Sequence, residues 1–243
     1  MPKLFLLLFF SLHVSPVFAA IGLVAYTTGS GLGNPPQTTA FLDTTGASLI
    51  VVGVSENSGG YGYYPVISDS KGNCSGAWPL AKAYGGAVYT TELLYYCVPT
   101  TVGTGHTVTV TDPNGHISKM SVFVAAFSGV ASDPLDKTSG CNSCSQPGSI
   151  TPTVNGELIL VVGGGDYYAS AATINSGFGW LGSSSCAGSC TVAYHGALAY
   201  FVQPTAAAIN PTWTQNYFSV LVMASFKPAA TTGKRRIIVI GGE

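Results

Sequence analysis

Charge is scarce in this chain. Of 243 residues, 9 are Lys or Arg and 10 are Asp or Glu, a charged fraction of 8%, against about 25% in a typical soluble domain. The formal net charge is −1. Without clustered cations nothing is available to neutralise phosphates, which argues against nucleic acid as a partner. Carboxylates arranged for catalysis are lacking too. Asp43, Glu56, Asp69, Glu92, Asp112, Asp133, Asp136, Glu157, Asp166 and Glu243 are scattered. No strand-like run carries two at alternate positions, the arrangement that lets sandwich-fold glycosidases aim a pair into a cleft. Asp133 and Asp136 flank Pro134 and read as a turn. His106, His116 and His195 are dispersed, and His195 beside Tyr194 suits a hydrogen-bonded strand residue better than a ligand. Gly-x-Ser-x-Gly, zinc-helix and phosphate-loop patterns are missing; Gly163-Gly164-Gly165 has no lysine or helix after it. The expectation is a protein that is not an enzyme and has no metal and no cofactor. A helical stripe of adequate length is also absent, which leaves an all-β chain.

The chain opens on Lys3, a short apolar run from Leu4 to Val14, and small residues near Ala19-Ala20. This is the pattern of a signal peptide over residues 1–19, cleaved after Ala19 with Val17 at the −3 position. A membrane anchor is the alternative, but the run is shorter than the ~20 apolar residues a span needs. No cysteine sits beside the cleavage site for a lipid anchor, so the mature chain is expected to be secreted, with no membrane span. Six cysteines follow, in what would then be an oxidising compartment. Of fifteen possible pairings, local spacing favours Cys141 with Cys144 and Cys186 with Cys190, leaving Cys74 for Cys97. A zinc site made of Cys141, Cys144, Cys186 and Cys190 is the rival, and export argues against it.

What the chain has in abundance is strand. Ile21–Thr27, Ser48–Ser55, Val88–Val98, His106–Thr111, Ser121–Phe127, Glu157–Val162, Val192–Val202 and Phe218–Phe226 are rich in β-branched and aromatic residues, with Gly, Pro, Asn and Asp between them. Thr107–Thr111 alternates as a half-wet strand does, whereas Ser48–Val54 is apolar enough to be buried on both faces. Asp112-Pro113-Asn114-Gly115 reads as a tight turn.

The strands also repeat. Gly46-Ala47-Ser48-Leu49-Ile50-Val51-Val52-Gly53 is echoed by Gly156-Glu157-Leu158-Ile159-Leu160-Val161-Val162-Gly163, an offset of 156 − 46 = 110. Pro99 matches Pro204, and Val124-Ala125-Ala126-Phe127 matches Met223-Ala224-Ser225-Phe226. A duplicated β unit with drifted loops produces such a series. The expected fold is an antiparallel two-sheet β-sandwich, jelly-roll-like, over residues 20–228. Its repeats run about 38–130 and 148–228, each contributes to both sheets, and the first and last long strands pair to close the chain. Two tandem small domains are the alternative.

Asp43-Thr44-Thr45-Gly46-Ala47-Ser48-Leu49-Ile50-Val51-Val52, Val124-Ala125-Ala126-Phe127-Ser128-Gly129, Pro147-Gly148-Ser149-Ile150-Thr151-Pro152 and the strand ending in Lys227-Pro228 resemble runs in uncharacterised secreted and phage-associated proteins. Those are jelly-roll or concanavalin-type, lectin-like β-sandwiches. The resemblance covers most of the mature chain and rests on turns and core strands. It implies a sandwich with a binding or structural role and no active site. The signal segment and cysteines set this chain apart from virion proteins assembled in the cytoplasm.

Both repeats place tyrosines after the same strand. Asn57, Tyr61, Tyr63 and Tyr64 follow the first copy, and Asp166, Tyr167 and Tyr168 follow the second. Flat aromatic faces with nearby acceptors suit the C–H groups and hydroxyls of a sugar, so these seven residues form the candidate glycan site. The plainer alternative is that the tyrosines only cover the sandwich ends. Trp78, Trp180 and Trp213 are candidates for the same platform, with Trp213 read as a core residue. The tail 229–243 joins Lys234-Arg235-Arg236 to Ile237-Ile238-Val239-Ile240, a pattern that suits a strand added to a sheet edge. Self-assembly through it, as in a fibre, filament or virion subunit, is the alternative function.

Overall fold

The computed structural model describes residues 17–29, 33–58, 63–85, 90–166, 173–185, 194–214 and 219–231, and every regular element among them is a β-strand. The first half contains β1 (Val17–Phe18), β2 (Gly22–Thr28), β3 (Gln37–Thr38), β4 (Leu49–Ser58), β5 (Val66–Asp69), β6 (Leu80–Gly85), β7 (Thr90–Cys97), β8 (Val108–Thr111) and β9 (Ile117–Ser128). The second contains β10 (Val130–Asn142), β11 (Glu157–Asp166), β12 (Thr173–Ile174), β13 (Gly179–Ser185), β14 (Tyr194–Gln203), β15 (Trp213–Thr214), β16 (Ser219–Pro228) and β17 (Ala230–Thr231).

The halves build one five-stranded antiparallel sheet each. Their orders, β2-β9-β4-β7-β6 and β10-β16-β11-β14-β13, correspond place by place. This corrects the expectation that each repeat feeds both sheets. It also carries the correspondence back over β2 and β10, beyond repeats that begin near 38 and 148. A second correction concerns closure. β2 pairs with β9 and β16 pairs with β10 and β11, so the first and last long strands do not meet. The ends of the described chain come together through Val17–Phe18 on Ala230–Thr231, and Ala19 N donates to Ala229 O at 2.8 Å. Cleavage after Ala19 would remove this small ladder and leave both five-stranded sheets whole.

Ladder register also revises the offset of the repeat. Leu49 pairs with Phe127 and Leu158 with Phe226. Matching those phenylalanines makes Leu49 equivalent to Leu158, an offset of 158 − 49 = 109 instead of 110. One residue matters, because side chains alternate faces along a strand. Gly53 faces inward, where a Cβ would lie 3.0 Å from Val162 Cγ2. Gly163 faces outward, where a Cβ would lie 2.6 Å from Leu221 and 3.1 Å from Trp213. The two glycines answer different close approaches and are not counterparts.

Leu49, Val51, Phe123, Ala125 and Phe127 of the first sheet share one buried cluster with Leu158, Leu160, Val162, Leu198 and Phe226 of the second. Ring contacts across it are reciprocal. Phe127 meets Tyr200 at 5.6 Å between centroids, and the equivalent Phe226 meets Tyr96 at 5.5 Å. Each sheet has an outer core as well. Ile50, Val52, Val54 and Tyr95 pack under a three-stranded sheet of order β3-β8-β5, and Ile159, Val161 and Met223 pack under Trp213 and the β12-β15 pair. The central strands are therefore buried on both faces, and Leu49 through Val52 and Val54 are 0% exposed. β8, covered on one face only, alternates buried and half-buried residues as its sequence predicts.

The tight turn between β8 and β9 forms as expected. Gly115 takes φ +70°, and the Asp112 carboxylate accepts from Asn114 N at 3.1 Å and Ile117 N at 2.6 Å. Although burial pushes its carboxyl up, these backbone donors prevail and hold it below the usual value.

A candidate ligand cleft in the first half

β5 ends on Asp69, and the chain must turn to reach β6. Asp69 Oδ1 accepts from Lys71 N at 2.8 Å and from Asn73 Nδ2 at 3.2 Å, which tightens the turn. The Asn73 amide in turn accepts from Thr100 N and Thr101 N and donates to Thr101 O. Cys74 follows in the left-handed region, φ +48°, at disulfide distance from Cys97, their Cα atoms 6.1 Å apart. Residues 73–78 are thereby held over the outer face of the first five-stranded sheet. There Trp78 is 5% and Tyr95 6% exposed.

Between this segment and β5 lies a cleft of about 600 Å³, within the range of small-ligand sites. Its walls carry Tyr64, Val66, Asp69, Trp78, Leu80 and Tyr95. Tyr64 and Val66 are half exposed, at 52% and 53%. Burial, reinforced by Tyr64 and Glu56, pushes the Tyr95 phenol well above its ordinary range. It stays protonated and donates to Pro65 O at 3.4 Å. Two buried polar atoms of the cleft residues have no partner within the protein: Asp69 Oδ2, an acceptor, and Trp78 Nε1, a donor. Buried polar atoms in folded proteins are nearly always paired, and those that are not call for a cause.

Beneath the cleft, Asp69 Oδ1 accepts from His106 Nε2 at 3.0 Å, and His106 Nδ1 meets Thr44 Oγ1 at 3.0 Å. Hydroxyl, imidazole and carboxylate in series are the components of an acyl-transfer triad. Here they cannot act as one, because Thr44 is 0% exposed and its hydroxyl also bonds Gly103 N and Gly103 O at 3.1 and 3.2 Å. No electrophile reaches it. The chain of bonds ties the 43–46 turn, the 103–106 segment and β5 together.

Of the residues singled out from sequence, Tyr64 lies on the cleft. Tyr63 stacks on His116, with centroids 3.8 Å apart and planes at 11°. Asn57 is the last residue but one of β4, its side chain accepting from the Ser118 hydroxyl at 3.1 Å, and it does not line the cleft. Asp166 closes β11, its backbone paired with Tyr194. Tyr61, Tyr167, Tyr168, Cys186 and Cys190 lie outside the described residues, as do residues 1–16 and 232–243. The ends of β4 and β11 do leave one end of the molecule. A Cβ on Gly196 would come within 2.5 Å of Ser55, and Gly196 pairs with Gly164, while Phe127 and Tyr200, paired with Leu49 and Leu160, touch at the other end. The two strands therefore run in the same sense.

Asp69, Asn73 and Tyr95 were not singled out. Asp69-Ser70-Lys71 before Asn73-Cys74 is an Asx-turn signal, and Tyr95 alternates with Cys97 on the same outer face. Trp78 belongs to the cleft, whereas Trp213 is a core residue at 1% exposure, with Trp180 against its ring. Cys141 and Cys144 also lie at disulfide distance, Cα atoms 6.1 Å apart. Among the described residues no three His, Cys, Asp or Glu side chains are grouped to hold a metal ion, and no helix is long and apolar enough to cross a membrane. No family model, no curated protein and no solved structure matches the chain.

Proposed function

We propose that this protein is a non-catalytic extracellular binding module that recognises a glycan through the cleft beside Tyr64. The observation that carries the reading is a cleft of small-ligand size with the half-exposed Tyr64 ring on its wall. Sugars present apolar C–H faces to such rings. Paired cysteines in both halves suit an oxidising compartment. A jelly-roll-like sandwich in each half is the fold we assign. Nested antiparallel pairing supports it: β2 lies beside β9, β3 beside β8 and β4 beside β7. The Thr44–His106–Asp69 series is sealed from solvent, which favours binding over turnover.

The test is retention of the mature protein on a glycan array, compared with Tyr64→Ala. Because Tyr64 is half exposed, the variant should keep its melting temperature within about 2 °C, since surface changes cost within ~0.5 kcal/mol, and lose retention. Retention unaffected by the change would move the site elsewhere. The rival function, assembly through Lys234–Glu243, predicts large particles that fall to monomers when those residues are removed, read by light scattering.

A further inference from the structure

One wall of the cleft is the edge of a sheet. β5 has β8 on one side and, among the described residues, no strand on the other. Ser70 N donates to Thr107 O at 3.0 Å. By antiparallel alternation Ser68 and Val66 then bond to β8, while Ile67 and Asp69 turn their main-chain groups to the free edge. Pro65 is in the same phase, and its carbonyl accepts from the Tyr95 phenol in the cleft. Gly72 N donates to Asp69 O at 3.3 Å, which leaves the N–H and C=O of Ile67 between these two contacts with no partner in the ladder. Ile67 and Asp69 both line the cleft. Ile67 keeps 8% exposure, and Asp69 is half-buried although its side chain is sealed, so what it shows is main chain. Leu80 stands beside Tyr95 on the outer face of the five-stranded sheet and is 39% exposed. A ligand in the cleft therefore meets an adjacent donor and acceptor on one wall and an uncovered apolar side chain.

We infer that the cleft selects N-acetylated sugars, with the amide N–H donating to Ile67 O, a neighbouring hydroxyl accepting from Ile67 N–H, and the acetyl methyl covering Leu80. The inference rests on the glycan-binding reading and narrows it. Neighbouring substituents of a pyranose stand close enough to meet one residue's N–H and C=O together, as the facing residue of a ladder does. A hydroxyl in place of the acetamido group makes the same polar contact but leaves Leu80 wet, so the methyl sets the preference.

The experiment is titration calorimetry of the mature protein with the trimer of N-acetylglucosamine and with the glucose trimer of the same linkage, whose rings differ only at the acetamido position. The acetylated trimer should bind about tenfold tighter, the discrimination that one apolar group gives in a pocket. Leu80→Ala, at a half-exposed position, should remove most of that preference and leave affinity for the glucose trimer unchanged. Ile67→Pro deletes the edge N–H without touching a ladder bond and should weaken both sugars about tenfold, the loss of one hydrogen bond. Leu80→Ala keeps the test open if β5 does not tolerate proline. Equal binding of the two trimers, a preference that survives Leu80→Ala, or unchanged affinity in a folded Ile67→Pro would overturn this inference and leave glycan binding standing. Binding of neither trimer by a protein that a glycan array retains on other sugars would do the same. Retention on no sugar of the array would overturn both.

Discussion

The two outer faces of this molecule start from one plan and end differently. By ladder register Leu80, Tyr95 and Cys97 of the first half correspond to Trp180, Ala199 and Phe201 of the second, and the same step sets Trp78 opposite Phe178. In the second half the rings close on one another: Trp180 meets Trp213 edge-on at 5.0 Å and Phe178 meets Phe201 at 5.5 Å. In the first half a cystine stands where Phe201 would be, and the 73–78 segment it holds forms one wall of a cleft. Backbone order is shared; side-chain volume and one crosslink decide whether the face is packed or open to a ligand.

The largest effects should fall on the packed face. Trp213→Ala removes a nearly fully buried ring and should cost about 3–5 kcal/mol in urea unfolding, whereas Tyr64→Ala on the open face should cost almost nothing. A smaller loss near Trp213 would mean the second face is looser than its ring contacts imply. Replacing both Cys74 and Cys97 by alanine should cost about 3 kcal/mol and abolish sugar binding. The same change at Cys141 and Cys144 should cost roughly half as much, because closing a loop of 3 residues restricts the unfolded chain less than closing one of 23. Equal losses would contradict a crosslink role that depends on loop length.

Thr44→Val tests the sealed Thr44–His106–Asp69 series. Leaving Gly103 N and His106 Nδ1 short of a partner should destabilise the fold by about 1–3 kcal/mol. Any hydrolytic activity that disappeared with it would argue that the hydroxyl is reached after all. The smallest expected effect is at Asp112. Its folded carboxyl lies below the ordinary value of 3.8, so its contribution is present above that value and is lost as pH falls through the folded one. Asp112→Asn should therefore flatten the acid limb of the stability profile below about pH 4 while changing little at neutral pH.

Much of the architecture was legible. Continuous apolar strands such as Leu49–Val54, the alternation of Val108–Thr111 and the Asp112–Gly115 turn all follow from residue type. The Cys74–Cys97 and Cys141–Cys144 pairs follow from spacing. The cleft was legible only at Tyr64, and at Trp78 as a candidate for the platform. Asp69 reads as one more scattered carboxylate until the turn at Lys71 and Asn73 draws it under the wall. Tyr95 reads as a core aromatic until its neighbours leave room beside it.

By itself, then, the sequence determined that the chain is all-β, duplicated, poor in charge and crosslinked, because period-two patterning and cysteine spacing are properties of neighbours along the chain. Tertiary structure alone decided which face each residue takes and that a cleft opens between β5 and residues 73–78. A strand shifted by one residue keeps its composition but turns every side chain over. That is why an echo aligned at 110 equates Gly53 with Gly163 although one meets Val162 in the shared core and the other lies beneath Trp213. Whether a face fills or opens depends on rings and crosslinks arriving from strands distant in sequence, as Trp213 does for one half and Cys97 for the other.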